Sequence, residues 1–444
     1  LAELVRAAHG GPSPGFLMDE TRRLDMLSLA RRTCQASLHG HSVLLALPDQ
    51  FATAAALIQL DGVARRIVLW PQDAAHDDID AVISSAAVDD VIRQWPLADD
   101  GVSPAGRLPQ SGASLNTEWV LLTSGTTGRP KLVVHTLQSL AGHLQGMKVP
   151  VAGAPVWTTF YDIRRYGGLQ ILFRALLGGG SLVLSSASEK PAAYLARAGA
   201  AKVTHMLGTP SHWRRALMAD AQVAVSPIYV RLSGEVADQA ILDRLRASFP
   251  AAAIVHAFAS TEAGLAFEVG DGQAGFPESL IGKAVGPAIR VSGGALQIRS
   301  ARTAAGTLNG RVDPIADRDG FVDTGDLVTL RDGRYQFVGR RDGVINVGGQ
   351  KVHPEEVEEV INAHPSVQMS LVSARRSPIM GAVVVADIVC KPGRTAPQNG
   401  NGSLAADIAT LCRSRLAPHK VPATIRMVPS LTIAPSGKLV RMRA

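Results

Sequence analysis

"LLTSGTTGRPKLVVHT", residues 121–136, is the stretch on which the reading of this chain turns. A short apolar run leads into Thr123, Ser124, Gly125, Thr126, Thr127 and Gly128; Pro130 and Lys131 follow before the chain turns apolar again. Small residues let backbone N–H groups approach anionic oxygens, and hydroxyl side chains add donors, so the pattern is that of a phosphate cradle. It is not a Walker-type loop, which ends in Gly-Lys-Ser/Thr; here Pro130 precedes Lys131 and Leu132 follows it. Taken by itself, the stretch reads equally well as a Ser/Gly-rich surface loop.

The rest of the chain narrows the choice. Its 444 residues are 46% hydrophobic and 19% charged, a balance that excludes disorder and allows two or three folded domains. The net charge of +7 comes from 45 basic against 38 acidic residues, with no basic block or interleaved aromatic stripe. That excludes a nucleic-acid track and suits a small anionic ligand. Cys34, Cys390 and Cys412 lie far apart without metal-type spacing, so reduced thiols in a cytoplasmic protein are expected. Apolar runs such as "GAVVVADIVC" are far shorter than the roughly 20 residues of a membrane span, and "LAELVRAAHG" is no secretory signal.

Strand-like and helix-like runs alternate through the first three quarters: "HSVLLALP", "FATAAALIQLDGVA", "RIVLW", then "GSLVLSS", "PAAYLARAGA" and "VTHMLGTP". This rhythm predicts parallel sheets covered by helices, with ligands at the strands' carboxyl ends. From about Gly294, repeated Asp-Gly pairs between apolar runs predict hairpins in a small β-rich unit. "VHPEEVEEVINAHPSV" has a proline-led, acidic first turn with Val357, Val360 and Ile361 on one face, and so predicts an amphipathic helix. "GAVVVADIVC" reads as a buried strand and "TAPQNGNGS" as a surface loop.

The run Thr123–Lys131 resembles the phosphate-binding signature of the adenylate-forming superfamily, which includes acyl- and aryl-CoA synthetases, peptide-synthetase adenylation domains and luciferases. Four further segments resemble that family in order. In "HAFASTEAG", residues 256–264, the resemblance puts Phe258, Ala259 and Ser260 beside the nucleotide, Thr261 on the α-phosphate and Glu262 on magnesium. Ala259 stands where the family usually has glycine, and the segment alone would also serve as a helix cap on Ser260 or Thr261. "VDTGDLV" makes Asp326 the ribose anchor; Gly234 and Glu235 join the ATP-binding set. In "GRRDGVINVGGQKVHPEEVE", residues 339–358, Arg340 would contact ribose or phosphate, Asp342 would be the hinge, and Gly348 and Gly349 would form the thiol-side loop. Asn346 replaces a common lysine there. "APSGKLVR" makes Lys438 the catalytic lysine.

The resemblance implies an α/β fold: a large N-terminal domain of parallel sheets with helices plus the β-rich unit, residues 1–341, and a small mobile α+β domain, residues 342–444. It implies ATP-dependent activation of a carboxylic acid to an acyl-adenylate, with Mg2+, and transfer to a thiol, coenzyme A in the first instance. Two alternatives remain: a stand-alone adenylation enzyme loading the phosphopantetheine of a carrier protein, and a non-catalytic nucleotide-binding protein. Tyr161, Arg164, His256 and Gly264 are the candidate acid-pocket residues, with Arg164 either gripping a second polar or anionic group or pointing to solvent. Asp162 is not securely placed as an anchor for an α-amino group, which weakens an amino-acid substrate.

Overall fold

Continuous apolar runs decide the architecture. Ser42–Leu45, Arg66–Leu69 and Ser181–Leu184 are buried at every position, as strands covered on both faces by helices must be. The computed structural model describes residues 1–11, 14–32, 36–95, 114–123, 130–145, 153–186, 188–218, 224–283, 286–377, 380–391, 404–434 and 438–440.

Two large sheets carry the first part of the chain. In the seven-stranded sheet, Asp90–Ile92, Ser42–Leu45, Arg66–Leu69 and Glu118–Thr123 are parallel; Lys131–Thr136, Gly306–Asn309 and Arg311–Asp313 extend it in antiparallel fashion. The eight-stranded sheet has six parallel strands at its centre, among them Val156–Thr159, His205–Gly208, Tyr229–Ser233 and Ala253–Ser260. The helices Gln50–Leu60 and Tyr166–Leu177 are buried along most of their length. Asp49 starts the first by accepting a hydrogen bond from Ala52 N at 2.7 Å.

The β-rich unit is a five-stranded antiparallel sheet built from Phe276–Pro277, Ala288–Ser292, Ala295–Arg299, Val322–Arg331 and Arg334–Arg340. The hairpin around Gly310 leaves this unit. Gly306 and Thr307 pair with Val134 and Val133, so the hairpin completes an edge of the seven-stranded sheet instead. Local turn chemistry specifies a hairpin but not the sheet it joins.

After Asp342 the chain forms the hairpin Ile345–Val347/Gln350–Val352, the helix Pro354–Asn362, and a three-stranded sheet of Val367–Ser377, Gly381–Cys390 and Thr424–Met427. As expected, Pro354 opens the helix, Glu355 and Glu356 occupy its first turn, and Val357 and Ile361 are buried in a core of their own with Val384, Ile388 and Ile408. This unit is fastened to the large one by polar contacts. Asn362 Nδ2 donates to Asp238 Oδ2 at 3.1 Å, Gln368 Nε2 to the Arg214 carbonyl at 2.8 Å, and Arg244 to Gln368 Oε1 at 2.7 Å. Cys390 and Cys412 are free thiols; Cys34 and all of "TAPQNGNGS" lie outside the described residues. No described helix is long and apolar enough to cross a membrane.

One close approach sets the entry to the helix Tyr166–Leu177. A Cβ on Gly168 would fall 2.3 Å from the carbonyl oxygen of Asp162, so backbone meets backbone where the chain turns from Tyr161 into the helix. Gly168→Ala is expected to destabilise the protein by about 1–3 kcal/mol through this forced displacement. Urea unfolding of the purified variant checks it.

Candidate active site

The carboxyl ends of the parallel strands of both sheets open on one cavity of about 1790 Å³. Thr123 ends one strand and is the register partner of Lys131, which begins the next. Thr123 and Lys131 both line it; Ser124, Gly125, Thr126, Thr127 and Gly128 lie outside the described residues.

The strand Ala253–Ser260 delivers the second motif. It is a strand running into a turn, not a helix start, and Ser260 Oγ accepts from Ala263 N at 3.0 Å within that turn. Phe258, Ala259, Ser260, Thr261 and Glu262 line the cavity. Phe258 is held rigidly, stacked on Phe337 at 5.4 Å and 8° and on Phe267 at 5.8 Å and 21°. The strand register shifts between Phe258 and Ala259, where the family's glycine is replaced. His135, which the sequence did not single out, props this turn. Its Nε2 lies 2.7 Å from the Thr261 carbonyl, which can only accept, and its Nδ1 lies 2.9 Å from Ser139 Oγ.

Asp326 and Arg340 face each other across paired strands, with their charged groups 3.8 Å apart. Burial raises the Asp326 pKa, and the charges of Arg340 and Lys438 oppose that rise. Asp342 sits in the short turn Arg341–Gly343, its Oδ1 3.4 Å from Arg340 Nε. Gly348 and Gly349 make the hairpin turn at φ +55° and +84°; Gly349 and Asn346 border the cavity, whereas Gly348 does not and donates to the carbonyl of Met380, which does.

Lys438 enters from the end of the chain. Its ammonium is open to the solvent of the cleft yet ringed by protein, and this burial lowers its pKa, against the pull of Glu235 and Asp326. Glu235 holds the segment in place: Oε1 accepts from Leu439 N at 3.0 Å, and Oε2 from Ser211 N at 3.0 Å. Gly234, at φ +88°, keeps this wall thin; a Cβ there would lie 3.9 Å from Lys438 Cε.

The expected acid-pocket residues divide. Tyr161 lines the cavity, its hydroxyl donating to the Ser233 carbonyl at 2.8 Å, and burial pushes its pKa up to about 12. His256 also lines it, with Nε2 2.9 Å from the Gln273 carbonyl. Gly264 lies behind the wall, against Arg302 and Tyr166.

Arg164 does not reach the cavity, nor does it point to solvent. It is 2% exposed and spends its donors on Asp162 at 2.8 Å, the Leu47 carbonyl at 3.0 Å and Gln72 at 3.4 Å. Asp162 is thereby occupied as this arginine's partner. The neighbouring Arg165 faces the cavity instead, paired with Asp73 at 2.5 Å. The only signal for it in the sequence was its adjacency; which of two consecutive arginines turns inward depends on where the following helix begins.

Among the described residues, no group of three or more His, Cys, Asp or Glu side chains gathers as a metal cage. The Glu262 side chain lines the cavity with no hydrogen bond or ion pair of its own among them. One carboxylate beside substrate phosphates is the usual protein share of a magnesium site, so the residues fit that ion.

Residues 41–292 match the model of the family described as AMP-binding enzyme, and residues 356–438 that of the AMP-binding enzyme C-terminal domain. The p-hydroxybenzoic acid–AMP ligase FadD22 of Mycobacterium tuberculosis is 27% identical over 360 residues, covering 77% of this chain but 50% of that protein. This chain therefore spans half the length of that relative. A 2-succinylbenzoate–CoA ligase of Salmonella typhimurium is 26% identical over 368 residues, covering 79% of this chain and 76% of that one. The fold is shared with a benzoate CoA ligase from Burkholderia xenovorans, with a TM-score of 0.77 at 20% identity over 99% of this chain and 98% of that chain.

Burial holds His135 and His143 near a pKa of about 4 and His212 near about 3, all below the ordinary 6.5. Histidines depressed in this way support the fold fully above their unfolded pKa, and that support is lost as pH falls toward the folded value. Unfolding free energy is expected to decline between pH 6.5 and 4 with net proton uptake on unfolding. Urea titrations across that window check it, and a flat profile contradicts it.

Proposed function

From a chain that belongs to the AMP-binding enzyme family, we propose the following activity: ATP-dependent activation of a carboxylic acid to an acyl-adenylate, then transfer of the acyl group to coenzyme A. The observation that carries this is the meeting, in one cavity, of Lys438 with Thr261, Glu262, Asp326 and Lys131, although Lys438 and Lys131 are separated by more than three hundred positions.

In the first half-reaction a carboxylate oxygen attacks the α-phosphorus, and the bond to the bridging oxygen breaks to release pyrophosphate. Catalysis of such a step is mostly positioning and compensation of charge. Asp326 accepts from the ribose hydroxyls, with Arg340 beside it. Lys131, at the root of the hydroxyl-rich connection, faces the β- and γ-phosphates. Glu262 would hold magnesium, which when bound would neutralise charge on the phosphate oxygens. Thr261 reaches the α-phosphate, and the bond from His135 to its carbonyl keeps that hydroxyl from drifting. Lys438 attracts both reacting anions, and its contact strengthens as charge builds on the α-phosphate.

Transfer to the thiol requires Lys438 to leave. The small unit is joined to the large one through Asp342, and a turn residue there is suited to absorb a rotation. Gly349 and Asn346, already at the cavity border, are then the near side of a thiol entrance.

Acid-dependent pyrophosphate exchange and coenzyme A-dependent AMP release test the proposal. Exchange with no acid despite ATP binding sinks it; AMP release only with a phosphopantetheinylated carrier protein moves the acceptor. Lys438→Ala is expected to slow adenylation about 100-fold or more, with ATP affinity changed only a few-fold. Glu235→Ala, by freeing the Leu439 backbone, is expected to slow adenylation while leaving thioester formation from a synthetic acyl-adenylate intact. Equal losses in both half-reactions contradict that role.

A further inference from the structure

Deeper along the helix Tyr166–Leu177, the structure gathers cationic side chains that the proposed reaction leaves unused. Tyr166 belongs to the cavity wall and is 5% exposed, yet its buried hydroxyl has no hydrogen-bond partner among the described residues. Two turns on, Arg174 lies over Trp157, its guanidinium carbon 5.8 Å from the ring centroid, and its Nε is buried without a partner among the described residues. Arg231 stands two residues before Ser233 on the strand Tyr229–Ser233, and so on the same sheet face. It is 5% exposed, pairs with Glu268 at 2.6 Å and still leaves its Nε unsatisfied. Arg302 closes the group. A Cβ on Gly264 would fall 2.5 Å from Arg302 Cβ and 3.1 Å from the Tyr166 hydroxyl, so the bare glycine lets these two side chains share one space. Both ring nitrogens of His143 are buried and unpartnered among the described residues as well.

Three arginines against one carboxylate leave surplus positive charge, and buried cations and donors without partners are costly. Burial disfavours the charged forms of Arg174 and Arg302, and it lowers the His143 pKa to about 4 with help from both. A purely structural arginine looks different here: Arg164 has a carboxylate, a carbonyl and an amide spent on it. Arg302, Arg231 and Arg174 all act on the Tyr166 hydroxyl in the cavity wall; none lines the cavity itself, and Arg302 spends one donor on the Leu265 carbonyl at 3.2 Å, so the cluster sits just behind that wall.

We propose that this cluster is the far end of the acid site and binds a second carboxylate, so that the substrate is a dicarboxylic acid. This rests on the ligase reading above. The step from Ser233 to Arg231 along the strand is about 7 Å, comparable with the separation of the two carboxylates in terephthalate or adipate.

Terephthalate and adipate are compared with benzoate and hexanoate in pyrophosphate exchange and, without ATP, by titration calorimetry. The dicarboxylates are expected to exceed their monocarboxylate counterparts at least about 100-fold in kcat/KM, since a site built for a polar group penalises its absence. Arg302→Gln and Arg174→Gln should each erode that preference at least about tenfold, chiefly through KM, and Arg302→Lys should restore part of it. Arg231 is left in place because its loss strands Glu268. Monocarboxylates turned over as well as or better than dicarboxylates, or a preference untouched by both variants, overturns the inference. Arg302-dependent calorimetric binding of a dicarboxylate, with no exchange from any acid, sinks the ligase reading and leaves the second anion site standing.

Discussion

The carboxylate of Glu235 ties the two ends of the active site together. One oxygen takes the backbone N–H of Ser211 at the start of a large-unit helix, the other that of Leu439 beside the lysine. A charge-assisted hydrogen bond contributes about 1.5–3 kcal/mol net. With the contacts of Asn362 and Gln368, that is enough to favour one orientation of the small unit, yet it is of a size that rearrangement can overcome. An apolar interface would hold the orientation far more firmly, and the proposed departure of Lys438 from the cavity calls for the weaker kind.

The large unit supplies what this clamp needs. Parallel strands put all their carboxyl ends on one side, so loops distant in sequence are delivered to a common edge without any of them being buried. Thr123, Tyr161, Thr209, Ser233 and Thr261 each follow or end such a strand. The antiparallel unit adds Asp326 and Arg340 from adjacent strands, where register alone sets their separation.

Charge is sorted within this frame by burial and partnership. Arg164 and Arg165 are neighbours in the chain, yet one is locked into the core by Asp162 and the other faces the cleft with Asp73. Arg174, Arg231 and Arg302 come from a helix, a strand and a turn and share the one carboxylate of Glu268. The first arrangement stabilises a fold; the second stores binding capacity at the expense of desolvation.

Much of this was legible in the sequence. Alternating apolar runs implied parallel sheets, and the proline-led acidic turn implied the helix Pro354–Asn362, because burial and helix starts leave marks within a few residues. The family resemblance carried by short motifs also pointed to Lys131, Phe258, Thr261, Glu262, Asp326 and Lys438, and the fold brings all six to one cavity. Tertiary structure alone decided which arginine turned inward, which sheet the Gly310 hairpin joined, that His135 braces Thr261, and that Gly264 makes room for Arg302 beside Tyr166. Each of those depends on contacts between residues far apart in the chain, and local propensity carries no record of the partner a side chain will meet once the strands are packed.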